Sequence, residues 1–314
     1  MKAINRHLQP VAAIVLFGLV LPALAQEESF IVSNAARFFQ IVPRDAKLEK
    51  LGDEFKFTEG AVWVGGDDGF LIFSDIKANE LKKWTPTGGF TTYRKPSFGT
   101  NGNALDPQGR LVSCEQGKRR VARVNADGTS APVADNYEGK KLNSPNDLAI
   151  RSDGTIWFTD PRYGEWHGPA ELDGQYVFRV GLDGKVRLAA KDFKLPNGIC
   201  LSPDEKILYV GQGGGQNVIY AYDIAADGTL TNGRRFCKPR NGLPDGFKCD
   251  AEGNLYITSN EGVEIWTPGA EYLGTIRVKP RPANCAFGGP GRKTLFITAG
   301  PCVYRIQLHV KGAK

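Results

Sequence analysis

Histidine is almost absent. The 314 residues hold three, His7, His167 and His309, and His7 falls in a segment read below as a leader. A His-rich zinc site is therefore excluded. HExxH and GxSxG do not occur, and a Ser-His-Asp triad would have to recruit one of two unremarkable histidines. The six cysteines, Cys114, Cys200, Cys237, Cys249, Cys285 and Cys302, include no CxxC pair and no tight metal spacing. Beyond the N-terminus no apolar run is long enough to cross a bilayer, and long amphipathic helical patterns are missing. Strong charge is missing too: the net charge of +6 is mild and spread out. The one dense basic cluster, Lys118-Arg119-Arg120, is too small for a nucleic-acid surface and reads as a solvated loop. Chemistry in this chain must rest on carboxylates and neutral oxygen donors.

Residues 1–25 read as a secretory signal. Lys2 and Arg6 make a basic start, Val11 to Leu21 is a short apolar run, and Ala23-Leu24-Ala25 is a small-x-small cleavage site. Cleavage after Ala25 would leave 289 residues (314 − 25) and a charge of +4, because the leader carries two cations and no acid. No cysteine follows the site, so no lipid anchor is expected there, and the expected location is the periplasm or beyond. Export takes the cysteines to an oxidising compartment, which permits disulfides. Several lie in apolar strand-like runs where a buried thiol fits equally well, so the pairing stays open.

What is present is a repeat. Short β-rich runs are broken by Gly, Pro, Asn and Asp. One unit, an apolar strand, a turn and a second strand, recurs as VGGDDGFLIFS (64–74), LDPQGRLVSC (105–114), IRSDGTIWFT (150–159), LSPDEKILYV (201–210), CDAEGNLYIT (249–258) and FGGPGRKTLFIT (287–298). Six copies about 40 to 50 residues apart predict an all-β, six-bladed propeller around a central channel. It would be one domain over 51–309, with an N-terminal segment 26–50 that helps close the last blade and a tail 310–314. Trp63, Trp157 and Tyr256 alternate within strands and read as blade packing.

The first strand of each unit should line the channel, so equivalent positions at its start should form a ring at one mouth. Eight residues before the turn glycines Gly109, Gly154 and Gly253 stand Asn101, Asn146 and Asp245. The same count reaches Asn197 from Glu205 and Glu59 from Asp67, and in the sixth unit it lands on Ala283, beside Asn284. Singly, Asn-Gly and Asp-Gly are ordinary turn pairs. Together they place Glu, Asn, Asn and Asp in one register, and glutamate is not a turn residue. LPNG at Asn197 becomes LPDG at Asp245, a change indifferent to a turn but not to an ion. Carboxylate and amide oxygens suit Ca²⁺ first, with Mg²⁺, Mn²⁺ or Zn²⁺ also compatible.

At these residues the chain resembles the SMP-30/gluconolactonase family of six-bladed propellers, from about Phe39 to Leu308. The stretches that carry the likeness are FTEGAVW, NGNALDPQGRLVSCEQGKRRVAR, GKKLNSPNDLAIRSDGTIWFTDPRYG, LPNGICLSPDEKILYV, LPDGFKCDAEGNLYIT and FGGPGRKTLFITAG. The resemblance implies a sugar-lactone hydrolase with one divalent metal at the channel mouth. It matches Glu59, Asn197 and Asp245 to metal ligands and Asn146 to a residue meeting metal or substrate. Asp245 also matches the proposed catalytic base. Two departures stand out: Ala61 replaces a proline after EG, and Gln116 replaces a histidine in CEHG, which bears on substrate choice.

Asn101, Asn146, Arg162 and Tyr163 are the expected substrate contacts. The last two lie in the long loop DPRYGEWHGPAELDG (160–174) with Trp166 and His167; this loop, EQGKRR (115–120) and GQGGGQN (211–217) should return to the mouth. GQGGGQN lacks the Lys-Ser/Thr and following helix of a phosphate loop. Two other readings stand beside the lactonase: a non-catalytic propeller that binds sugars or sugar acids, and an esterase acting on aryl or phosphate esters.

Overall fold

The computed structural model describes residues 29–163 and 168–313. The leader, Trp166 and His167 lie outside the described residues. Among those described, the strands form six sheets of four or five antiparallel strands and one small two-stranded hairpin. The sheets follow one another along the chain. Blade 1 spans Thr58–Val64 to Gly89–Arg94, blade 2 Thr100–Leu105 to Ser130–Ala134, and blade 3 Leu148–Ile150 to Val186–Phe193. Blade 4 runs from Pro196–Leu201 to Leu230–Cys237, blade 5 from Phe247–Cys249 to Tyr272–Arg277, and blade 6 from Asn284–Gly288 to Cys302–Gln307. The first strands touch in sequence order all the way round, the sixth against the first, which closes a six-bladed propeller.

The turns explain why the chain hairpins where it does. Asp106 Oδ1 accepts the backbone N–H groups of Gln108 and Arg110, and Asp250 Oδ1 those of Glu252 and Asn254. In each case a glycine, Gly109 or Gly253, supplies the positive φ that ends the turn. Closure uses the N-terminus. Glu49–Gly52 is the outermost strand of blade 6, paired with Cys302–Gln307, and Phe30–Val32 adds a fifth strand to blade 5. Between them the helix Ala35–Ile41, capped by the Asn34 side chain, buries Phe38 and Ile41 against blades 5 and 6. The C-terminus returns to the same blades, where Gly312 bridges Asp250 and Ala313 N–H donates to Cys249 O.

The apolar layers lie between the blades. Trp63 stacks on Phe296, joining blades 1 and 6, and Tyr256 meets Phe287 edge-on between blades 5 and 6. Trp157 is fully buried against blade 4. Second-strand hydroxyls fix the angular position of alternate neighbours: Ser74 Oγ donates to Asn101 O, Thr159 Oγ1 to Asn197 O and Thr258 Oγ1 to Ala283 O.

The basic cluster corrects one sequence expectation. Lys118 is exposed, but Arg119 is buried, its Nε donating to Leu142 O, and Arg120 pairs with fully buried Glu115. Arg119 ties blade 2 to the segment leading into blade 3, and Arg120 closes onto its own blade. The two arginines find acceptors, a carbonyl and a carboxylate, that only the folded blades bring within reach.

Candidate active site

Each first strand enters the channel with a polar residue, and four of the six are followed by glycine: Glu59-Gly60, Asn101-Gly102, Asn197-Gly198 and Asp245-Gly246. The reason is close approach of neighbouring backbones. A Cβ on Gly60 would lie 1.9 Å from Asn101 O, and one on Gly198 would lie 2.2 Å from Asp245 O. Gly102 N–H donates to Asn146 O and Gly246 N–H to Ala283 O. The glycines thus let consecutive first strands touch, which draws the residues before them into one layer at the mouth.

That layer holds Glu59, Asn101, Asn146, Asn197 and Asn284, all buried, and Asp245, whose side chain is 14 % exposed. The Asn284 amide faces Glu59 and Asp147, and the Asn197 amide faces Asp245 and Tyr163. The sixth member is Asn284, one residue beyond the count of eight. The turn of blade 6 (289–293) has five residues like the others, but the residue in its glycine position is Arg292, at φ +54°, and eight before Arg292 stands Asn284.

Three residues of the site have no place in the ring count: Asp147, Lys248 and Arg281. Asp147 is buried, and its Oδ2 lies 3.9 Å from Lys248 Nζ without a hydrogen-bond partner. Arg281 Nη2 donates to Asp245 Oδ2 at 3.0 Å. Asp147 was legible as a break in the residue-glycine pairs, since it stands where four blades have glycine. Lys248 was legible as a charge three residues after Asp245, where the other blades have Val62, Ala104, Ala149, Cys200 and Phe287. Arg281, on the link between blades 5 and 6, has no periodic signal.

The electrostatics are those of crowded acids. Burial pushes the Glu59 carboxyl well above the usual carboxylate range, and the charges of Asp245 and Asp147 push it further. Asp245 is pushed up to about 6 by burial, against the pull of Arg281 and the Asn197 hydrogen bond. Burial raises Asp147 too, with Lys248 opposing. Three carboxylates therefore face two cations, a count of −1 (−3 + 2) before any ligand arrives. Among the described residues no group of three or more His, Cys, Asp or Glu side chains is set to hold an ion alone. Any ion here would need the asparagine amides as well.

The loop residues divide. Tyr163 reaches the mouth: its buried hydroxyl approaches Asn197, and burial pushes its pKa up to about 12. Arg162 turns to its own loop, where its backbone N–H donates to Gln175 Oε1 and its Nη2 to Gly168 O. Gln116 is buried with Nε2 lacking a hydrogen-bond partner, as are Arg119 Nη2 and Asn143 Oδ1. These segments are tied together by the bond from Arg119 Nε to Leu142 O and that from Ser144 Oγ to Tyr163 O. All six cysteines are buried free thiols; Cys200 and Cys249 come within 3.6 Å, sulfur to sulfur.

A family model described as "SMP-30/Gluconolactonase/LRE-like region" matches residues 57–300. A gluconolactonase of Zymomonas mobilis subsp. mobilis is 34% identical, the match covering 90% of this chain and 87% of that one. A 6-deoxy-6-sulfogluconolactonase of Pseudomonas putida is 26% identical over 73% of this chain and 78% of its own. Among solved structures, a gluconolactonase from Xanthomonas campestris superposes with a TM-score of 0.84 at 36% identity, covering 89% of this chain and 94% of that one. Propeller, mouth residues and relatives agree: the chain belongs to the SMP-30/gluconolactonase family.

Proposed function

We propose that the protein hydrolyses a sugar lactone of the gluconolactone class to the aldonic acid, with one divalent cation held by Glu59, Asn146, Asn197 and Asp245. The lactone comes from relatives named as gluconolactonase and sulfogluconolactonase. The observation that carries the cation is the crowding of three acids at the mouth, where burial and the Asp245 charge raise the cost of ionising Glu59. The donor set, two carboxylates and amide oxygens, is hard and suits Ca²⁺ first.

When bound, such an ion would polarise the lactone carbonyl and acidify a water. The rest falls to the chain. Hydrolysis joins a water oxygen to the carbonyl carbon and breaks the ring C–O bond. One proton ends on the ring oxygen, which leaves as a hydroxyl, and one passes to solvent. Asp245 is the candidate to hold the water's proton in transit, since its carboxylate is the most exposed of the three acids at the mouth. Asn101, Asn146 and Tyr163 line the mouth for the hydroxyls of the substrate. A hydroxyl-rich ligand would satisfy these side chains, and an aryl ester would not.

The test is proton release on a pH-stat with D-glucono-1,5-lactone, spontaneous hydrolysis subtracted. Metal-stripped protein would be compared with protein given Ca²⁺, Mg²⁺, Mn²⁺ or Zn²⁺. Turnover restored by metal is expected. No turnover with any ion, five-carbon lactones included, would favour a sugar-binding propeller instead. Export is part of the same reading, and N-terminal sequencing of the protein from the producing cell should begin at Gln26.

A further inference from the structure

Arg281 sits at the rim of the mouth. Its side chain is 42 % exposed, whereas the Asp245 carboxylate it holds is 14 % exposed. The contact is to one oxygen, Oδ2, at 3.0 Å. The guanidinium also acts on Tyr163, whose hydroxyl approaches Asn197. Arg281 thus covers one oxygen of Asp245 while its own side chain keeps contact with solvent.

Charge makes the arrangement unstable toward a divalent ion. Without an ion the mouth counts −1, and Arg281 supplies one of its two cations. An ion on Glu59 and Asp245 changes the count to +1 (−1 + 2) and sets two positive charges beside the guanidinium. Arg281 and the ion then repel each other while seeking the same carboxylate. Its exposure gives Arg281 somewhere to go. A site at +1 also has room for one negative charge, and lactone opening creates one, the carboxylate of the aldonic acid. A planar guanidinium is suited to receive it with two parallel N–H bonds.

We propose that Arg281 and a divalent cation compete for Asp245, and that the displaced guanidinium binds the carboxylate formed when the lactone opens. Arg281 then serves as a place-holder in the empty site and as a product-recognition group in the loaded one. The inference rests on the metal reading given above.

The experiment uses the full mature chain as wild type, Arg281→Gln and Arg281→Lys, each metal-stripped and checked for an unchanged circular dichroism spectrum. Mn²⁺ is titrated calorimetrically, and D-gluconate inhibition is measured on the Mn²⁺-loaded proteins. Arg281→Gln should bind Mn²⁺ about 10-fold more tightly than wild type and be inhibited by gluconate about 10-fold more weakly. Arg281→Lys, which keeps the charge without the planar fork, should match wild type in Mn²⁺ affinity and lose part of the gluconate inhibition. Mn²⁺ affinity unchanged or weakened in Arg281→Gln overturns the competition, with the metal reading intact. Tighter Mn²⁺ with unchanged gluconate inhibition overturns the product role. If no protein binds Mn²⁺ or Ca²⁺, the metal reading fails and this inference fails with it.

Discussion

Lys248 Nζ lies 3.9 Å from Asp147 Oδ2, joining blade 5 to blade 3 across the channel. The lysine also donates to its neighbour's carbonyl, Phe247 O. Burial alone would lower the Lys248 pKa, yet the surrounding acids, Asp147 foremost, hold it above its ordinary value. Removing one member leaves the other charged and largely buried. Asp147→Ala and Lys248→Met should each cost about 3 kcal/mol, the low end of the range for a broken buried pair because the lysine side chain keeps 26 % exposure. The double variant should recover part of the loss. Urea unfolding of all four proteins checks this; full additivity would mean the two residues do not act on each other.

The glycines of the mouth make a second prediction. Gly60 has φ +54°, and a Cβ there would strike Asn101 O at 1.9 Å. Gly60→Ala should destabilise by about 3 kcal/mol or more, because a strained backbone and a clash with main chain combine. Gly109→Ala is the control: its φ is +74°, but the space around it is open, so only the left-handed strain of about 1 kcal/mol applies. Similar melting temperatures for the two variants would contradict the close-approach argument.

Asp245 gives a pH dependence. Its pKa in the fold is about 6, above its ordinary value of 3.8, so the folded protein holds this proton more tightly than the unfolded chain does. The metal-free protein should therefore lose stability as pH rises through that window, and the contribution should level off above pH 6. Glu59, also raised, has the same sign. A divalent ion needs both carboxylates deprotonated, so its binding should release protons and weaken as pH falls below about 6. Calorimetry in two buffers of different ionisation enthalpy counts those protons, and an affinity flat from pH 5 to 7 would oppose this site assignment.

The cysteines should be silent in the native state. All six are buried, and burial raises the thiols of Cys114 and Cys237 in particular. Thiolate is the reactive form, so a disulfide-exchange reagent should label the folded protein slowly and unmask six thiols on unfolding. Fewer than six after unfolding without reductant would mean that some pair on export, with Cys200 and Cys249 the nearest couple.

The sequence by itself determined the architecture and most of the ring. A propeller repeats one structural unit, so a residue demanded by the unit recurs at a fixed distance from its turn. Glu59, Asn101, Asn146, Asn197 and Asp245 could be found by counting because each opens a first strand whose position the repeat sets. Even Asn284 stood one residue from the count, because Arg292 and not Gly291 holds the left-handed turn position of blade 6. Only the tertiary structure decided the rest. Asp147, Lys248 and Arg281 act through partners on other blades, and no local period encodes which side chains meet across a channel. Arg119 looked solvated for the same reason: its acceptor, Leu142 O, comes from elsewhere in the chain's path. Local pattern fixes where each strand begins, whereas the charge balance at the mouth arises only when six strand ends converge and exclude water from the acids they bring together.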